Sequence, residues 1–361
     1  MKKIRMNLGE DSYFIYAGYP IEKLGSRMDK RNYGKKVMLL TDSNVFPRYG
    51  RAIEKAVTGT GREVIDFLVK PGEEVKSLRK IYEIMEACAK NRMGRDDTLL
   101  TLGGGVASDL GGFAASIYMR GINFIAVPTT LLAQVDASIG GKTGVNLPFG
   151  KNLVGSFYQP SFVYMDFKTL QTLPEIELKQ GLAEIIKYGV IKSRKIFGIL
   201  DSVSFTGIRK YLPRLIEESI LIKRDVVEKD EKEKKGLREI LNFGHTLGHA
   251  IEIAHFPKLS HGESVALGMV GEGYFSWRLG ICRREVYSDI REIVKKCRLP
   301  FSFQTVKTER LPDFLQYDKK ARRGNIRFVM VRDIGTVKTG VVIKPEEVTR
   351  LLKEMGQNEK P

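Results

Sequence analysis

Asp97-Thr-Leu-Leu-Thr-Leu102-Gly103-Gly104-Gly105-Val-Ala-Ser-Asp109 is the stretch whose reading decides the fold. A short apolar run stops at three glycines, and a helical stretch follows. That order, strand then glycine turn then helix, belongs to a parallel α/β sheet with ligands at the carboxyl ends of its strands. Glycines there let backbone N–H groups approach a phosphate, and the helix N-terminus adds partial positive charge. The spacing is not G-x-G-x-x-G, so the dinucleotide fingerprint does not apply. Taken alone, the turn fits a bound phosphate and a plain tight turn equally well.

Outward from this stretch the pattern repeats. Lys36-Val-Met-Leu-Leu-Thr-Asp42, Glu63-Val-Ile-Asp-Phe-Leu-Val69 and Asn123-Phe-Ile-Ala-Val-Pro128 read as buried strands. Phe46 to Val57 and Ser77 to Asn91 have helical spacing, with Ser77 as N-cap. After Leu173 the pattern turns helical. Helices are expected from Pro174 to Lys192, Arg209 to Lys229, Ile240 to His255, Gly262 to Leu279 and Arg284 to Cys297, with strands again at Ile326–Val331 and Val337–Val342. The expected organisation is an α/β nucleotide-binding domain over residues 1–175, a mainly α-helical metal- and substrate-binding domain over 176–355, and a frayed tail over 356–361.

The 361 residues carry 60 Lys+Arg against 43 Asp+Glu, a formal charge of +17. A basic chain raises nucleic acid as a partner. The excess is spread along the sequence with no basic arm, and no nucleic-acid partner is expected. The quiet block 101–150 is more informative, with two basic residues, two acidic residues and 10 of the 36 glycines. Three scattered cysteines (Cys88, Cys282, Cys297) argue for a reducing compartment. Met1-Lys-Lys-Ile-Arg-Met lacks the apolar stretch of a signal peptide, and no apolar run reaches the roughly 18 residues of a membrane span. A cytoplasmic protein without a membrane partner is expected.

Several segments carry candidate chemistry beside a bland reading. Asp42-Ser-Asn44 at a strand end could accept from a ribose hydroxyl or form an Asx turn. Pro71-Gly-Glu73-Glu74 has the same ambiguity. Gly140-Gly-Lys142-Thr-Gly-Val-Asn146 and Gly150-Lys151-Asn152 place two lysines in Gly-rich backbone and suggest an anion site. Position 136 is Asp where a P-loop needs Gly, so ATP-type chemistry is rejected. All four histidines fall between His245 and His261. His245 and His249 are i, i+4 on one helix face, and His261 follows a short connection. Two imidazoles plus a carboxylate is a common catalytic Zn²⁺ set. The best remote carboxylate is Glu184 in Gly181-Leu-Ala-Glu-Ile-Ile-Lys187, where an acid and a lysine interrupt an apolar helix. His255 fits neither face. Lys319-Lys320 and Arg322-Arg323 form the densest basic run.

Together these motifs resemble the 3-dehydroquinate synthase family of sugar phosphate cyclases. The carrying residues are Gly103 to Phe113, Tyr118-Met-Arg120-Gly, Val127 to Asp136, Gly141 to Asn146, Gly150-Lys-Asn152, Gly181 to Lys187, Asn242-Phe-Gly-His245-Thr-Leu-Gly-His249 and His261-Gly-Glu. The likeness runs in order from about residue 36 to 345. It implies a lyase that uses NAD⁺ and Zn²⁺ or Co²⁺ and acts as a homodimer. It would convert 3-deoxy-D-arabino-heptulosonate 7-phosphate to 3-dehydroquinate and phosphate by transient oxidation, β-elimination, re-reduction and intramolecular aldol closure. It further implies metal ligands Glu184, His245 and His261. NAD⁺ would be held by Asp42, Asn44, Glu73, Lys76, Gly104, Gly105, Val106, Ser108, Asp109, Thr129, Thr130, Lys142, Lys151, Thr169, Leu170 and Thr172. The substrate would meet Arg120, Asp136, Lys142, Asn152, Lys187, Lys223, Arg238, Asn242, His249 and Lys320 or its neighbour Lys319. His249 is the proton-transfer candidate. The chain departs from the family pattern at Lys234-Lys-Gly236, which carries an extra residue, and at Ser108 and Ala137, where Gly and Ser are usual. Two readings stand beside this one: a sibling cyclase acting on another sugar phosphate, and a metal-dependent alcohol dehydrogenase.

Overall fold

The run Thr98–Gly103 is a strand with every residue buried, inside a seven-stranded sheet. The structure is a computed structural model and describes residues 1–28, 32–255, 258–304, 306, 308, 311–316 and 326–358. The chain divides into two units, Met1–Pro174 with Lys223–Lys232, and Glu175–Ile222 with Glu233–Pro361.

In the first unit the elements are β1 (Lys2–Met6), β2 (Tyr13–Ala17), α1 (Gly25–Met28), β3 (Lys36–Asp42), α2 (Arg51–Thr58), β4 (Glu63–Val69), α3 (Leu78–Lys90), β5 (Thr98–Gly103), α4 (Gly105–Ile117), β6 (Asn123–Pro128), β7 (Lys142–Leu147), β8 (Gly150–Phe157) and β9 (Phe162–Met165). The sheet order is β1-β2-β9-β6-β5-β3-β4, parallel except for β1 against β2. From β3 the chain first builds outward to β4 and then returns to β5 on the other side. The order therefore reverses between β3 and β5, and Asp42 and Gly103 mark the crevice at their carboxyl ends. The core beneath is aliphatic and aromatic: Val37, Leu39, Leu100, Leu102, Ile125 and Val127 from the strands, with Ile53 and Val57 from α2. α3 begins as its sequence dictates, with Ser77 Oγ accepting from the Lys80 amide at 3.3 Å.

The second unit is mainly helical, with α5 (Glu175–Ile191), α6 (Arg194–Ser202), α7 (Leu212–Lys229, whose last turns belong to the first unit), α8 (His245–His255), α9 (His261–Arg278), α10 (Arg284–Lys296), α11 (Leu311–Gln316) and α12 (Pro345–Asn358). One antiparallel pair joins them, β10 (Ile326–Asp333) with β11 (Thr336–Ile343). Among the described residues no helix is long and apolar enough to cross a membrane.

Four details differ from the sequence reading. The Gly-rich segment 142–157 is an antiparallel hairpin, not a loop. The expected helix Ile240–His255 is broken: Leu237–Asn242 is a 3₁₀ turn, and Gly244, at φ +78°, separates it from α8. Strands β1, β2 and β9 carried no sequence signal that was read. The last helix continues to Asn358, inside the stretch expected to fray. Lys319 and Lys320 lie outside the described residues.

Candidate functional site

The first unit gathers expected cofactor residues at its crevice. Asp42 Oδ1 accepts from the amides of Asn44 (2.8 Å) and Val45 (3.1 Å), so the Asx turn is real. Its other oxygen faces the glycine turn: a methyl group on Gly103 would sit 3.6 Å from Oδ2. A methyl on Gly104 would sit 3.2 Å from Thr130, and the Thr129 amide donates to Gly103 O at 2.9 Å. α4 starts at Gly105, so Gly105, Val106 and Ser108 form its first turn, with the Ser108 amide bonded to Gly104 O. Thr169, Leu170 and Thr172 lie on the 3₁₀ segment Phe167–Thr172. Tyr49 binds the Thr169 carbonyl and the Thr172 hydroxyl, and Gln134 Nε2 lies 3.2 Å from Thr169 Oγ1.

A second group lies around Lys76, which is buried. Its ammonium lies 2.5 Å from Asp109 Oδ2, donates to Asn152 Oδ1 at 2.5 Å and lies 3.7 Å from Glu73. Asn146 connects the group by donating to Glu73 Oε1 and accepting from the Asn152 amide. Burial pushes the Asp109 carboxyl up to about 6, with Lys76 opposing. Lys223, also buried, donates to Asp136 Oδ1 at 2.7 Å and to its carbonyl at 2.6 Å. Lys142 and Lys151 are exposed on the hairpin, and Arg120 is exposed at φ +64° in the turn after α4.

In the second unit Glu184 is wholly buried in α5. The Lys187 ammonium is in ion-pair contact with its Oε2, one turn on. His245 Nε2 lies 3.3 Å from Oε1, and His261 Nε2 lies 3.6 Å from the same oxygen. Neither carboxylate oxygen receives a hydrogen bond of normal geometry. The tautomers follow from the partners. Phe243 O lies 3.2 Å from His245 Nδ1, and a carbonyl can only accept, so Nδ1 carries the proton. Glu252 Oε2 lies 3.4 Å from His261 Nδ1 and imposes the same choice. Both Nε2 atoms therefore face Glu184. The three ligand atoms lie within 4.8 Å of one another. Burial alone would raise the Glu184 carboxyl, but Lys187 and His245 hold it well below the usual range. Burial, with Lys187, lowers His245. Burial would also lower His261, yet the carboxylates of Glu184 and Glu252 beside its two ring nitrogens push it up to about 9. The set as it stands competes for protons and so suits a cation.

His249 stands beside this centre, its ring centroid 5.4 Å from that of His245 and 6.2 Å from that of His261. Asn242 ends the 3₁₀ turn just before His245, and Arg238, buried in that turn, lies 3.4 Å from Glu233. His255 turns back to the Ile251 carbonyl. Two acids were missed in the sequence. Glu252 is i+3 from His249 and i+7 from His245, so helical spacing alone places it on their face. Glu272 is a fully buried acid in apolar α9, the same signal that singled out Glu184. It accepts from the Gly244 amide (2.6 Å) and the Leu247 amide (3.1 Å) and so pins the start of α8. Gly268 permits that approach, because a Cβ there would lie 1.9 Å from Gly244 O.

Comparison with known proteins gives the family. Residues 66–180 match the family described as 3-dehydroquinate synthase N-terminal, and residues 181–321 match 3-dehydroquinate synthase C-terminal. The chain belongs to the 3-dehydroquinate synthase family. A 3-dehydroquinate synthase of Crocosphaera subtropica is 41% identical over 364 residues, covering 98% of this chain and 98% of that protein. The fold matches a 2-deoxy-scyllo-inosose synthase complexed with carbaglucose-6-phosphate, NAD⁺ and Co²⁺, with TM-score 0.87 at 24% identity over 98% of this chain and 100% of the other. A 2-epi-5-epi-valiolone synthase from Streptomyces hygroscopicus with NAD⁺ and Zn²⁺ bound gives TM-score 0.87 at 24% identity over 98% and 99%. The α/β plus helical architecture expected from the sequence is thus that of the sugar phosphate cyclases.

Proposed function

We propose that this chain is a lyase that converts 3-deoxy-D-arabino-heptulosonate 7-phosphate to 3-dehydroquinate and phosphate, using NAD⁺ and a divalent metal. Family membership supports the reaction class. The observation that carries the metal reading is the convergence of two imidazole Nε2 atoms on a buried carboxylate whose oxygens lack normal hydrogen bonds. Two imidazoles and a carboxylate suit Zn²⁺ or Co²⁺. Glu184, His245 and His261 would hold the metal, with Asp42, the Gly103–Gly105 turn, Thr130 and the 169–172 segment around NAD⁺. When bound, the metal supplies Lewis acidity toward substrate hydroxyls, and NAD⁺ supplies a transient oxidant that each turnover regenerates.

The chain's own residues do the remaining work. Lys187 keeps Glu184 ionised and is too deeply buried to be exchanged for water. Asp136 holds the Lys223 ammonium through two oxygens, which fixes the direction of a cation suited to an anionic substrate group. Lys76 fixes Asn152 and the hairpin that carries Lys142 and Lys151. His249 is near enough to the metal ligands to take or give a proton. The proposal includes a division of labour, with residues 1–175 holding NAD⁺ and 176–355 holding the metal. It also includes a homodimer, testable by light scattering, and a cytoplasmic home. Three cysteines, none in a disulfide, support a reducing compartment.

The test is phosphate release from the heptulosonate phosphate, with and without NAD⁺ and after chelation. Release should depend on both and leave no net NADH at 340 nm. Stoichiometric NADH would favour the dehydrogenase reading, and release without either cofactor would overturn the proposal.

A further inference from the structure

Glu252 has no place in the metal set, yet it is buried and lies against that set. α8 carries His245, His249 and Glu252 along one face. His261, the first residue of α9, meets acids on both edges of its ring: Glu184 at Nε2 and Glu252 at Nδ1. His245 has the same two-sided arrangement, with the Phe243 carbonyl at Nδ1 and Glu184 at Nε2. Each ring is thus held at the nitrogen that faces away from the centre. An imidazole fixed in this way cannot flip, and a carboxylate at Nδ1–H makes Nε2 a stronger donor. The other arrangement on the same atoms has His249, Glu252 and His261 themselves within 4.8 Å, which would make Glu252 a ligand. The parallel with His245 and the full burial of Glu184 favour the first.

We infer that Glu252 is a positioning residue that orients His261 through Nδ1 and so sets the metal affinity of the centre. The inference rests on the metal reading above. Full-length protein, stripped by chelation, is titrated with Co²⁺ against a chromophoric chelator, and the visible Co²⁺ spectrum is recorded. Glu252→Ala should bind about 10–100-fold more weakly while still reaching wild-type stoichiometry, with a shifted spectrum. Glu252→Gln, whose amide oxygen still accepts from Nδ1–H, should recover a large part of the affinity. Wild-type affinity in Glu252→Ala overturns the inference. So does a Gln variant no better than Ala, or an Ala variant that loses Co²⁺ as completely as His245→Ala, the outcome expected of a ligand. His245→Ala separates the two claims. If it keeps wild-type affinity, the metal reading itself falls. If it loses Co²⁺ while Glu252→Ala does not weaken, only the role of Glu252 falls.

Discussion

Asp109, half-buried, and Glu184, wholly buried, each lie beside a buried lysine, and they are shifted in opposite directions. Asp109 is pushed up to about 6, whereas Glu184 is held well below the usual range. Burial raises both. Asp109 pairs with the Lys76 ammonium, which is shared with Asn152 and Glu73, and the Glu73 charge itself pushes Asp109 up. Glu184 has Lys187 to itself and two imidazoles besides. The balance of neighbouring charges therefore decides the sign, not the depth of burial, which raises both. The consequence is functional. The Lys76 group is stitched together by the chain's own side chains, while the Glu184 group leaves both carboxylate oxygens without a normal hydrogen bond, an arrangement that suits a cation.

Glu184→Gln should break the contrast most severely. Metal affinity should fall by more than the about 10–100-fold that residues outside the ligand set command, and phosphate release should fall with it, read by Co²⁺ titration and turnover. Glu184→Ala should in addition cost about 3–5 kcal/mol, because Lys187 is left charged and buried without its acid; urea unfolding of the metal-free protein measures this. On the other side, Lys76→Met should cost about 2–4 kcal/mol by stranding Asp109, with metal affinity unchanged. Loss of metal in that variant would mean the two regions are not separate devices.

Asp109 also predicts a pH dependence. Its folded pKa of about 6 lies above the ordinary 3.8, so the folded protein binds this proton more tightly than the unfolded chain. The resulting stability is fully present below about pH 4 and is lost as pH rises through about 6, an effect of at most about 3 kcal/mol. Asp109→Asn removes the titration. The stability of wild type relative to this variant should therefore fall between pH 4 and 6 and stay level above pH 7. A relative stability that rises over that range would show that Lys76 outweighs burial.

The alternating strands and helices around Gly103 were legible because buried parallel strands read as unbroken apolar runs, and the histidine cluster because four histidines crowd 17 positions. The hairpin was not. Glycines let the β7 and β8 backbones approach closely: a Cβ on Gly155 would lie 2.1 Å from Thr143 O, and one on Gly144 would lie 2.6 Å from Val154 O. Glycine in such a pair signals a loop to any reading based on propensity. β1 was hidden by its charges, since an edge strand can carry lysine and arginine on its open side. Glu252 and Glu272 were missed for a different cause. Spacing and burial in an apolar helix mark their positions, but their partners, His261 for Glu252 and the Gly244 and Leu247 amides for Glu272, come from a distant segment and leave no trace in the local sequence.

The smallest expected effect is the most discriminating. Ser77 and Ser260 each cap a helix, one in each unit. Ser77 accepts from the Lys80 amide at the start of α3. Ser260 accepts from the Glu263 amide, and Glu263 Oε2 accepts in return from the Ser260 amide and hydroxyl, closing a capping box immediately before His261. Each serine replaced by alanine should cost about 1 kcal/mol, by the same loss of one bonded amide. Only Ser260→Ala should also weaken Co²⁺ binding, by a few-fold, because the box sets the backbone from which the His261 ring projects. Equal stability losses with equal, unchanged metal affinities would mean that the ring is held by Glu184 and Glu252 alone and that the helix start contributes nothing to the centre.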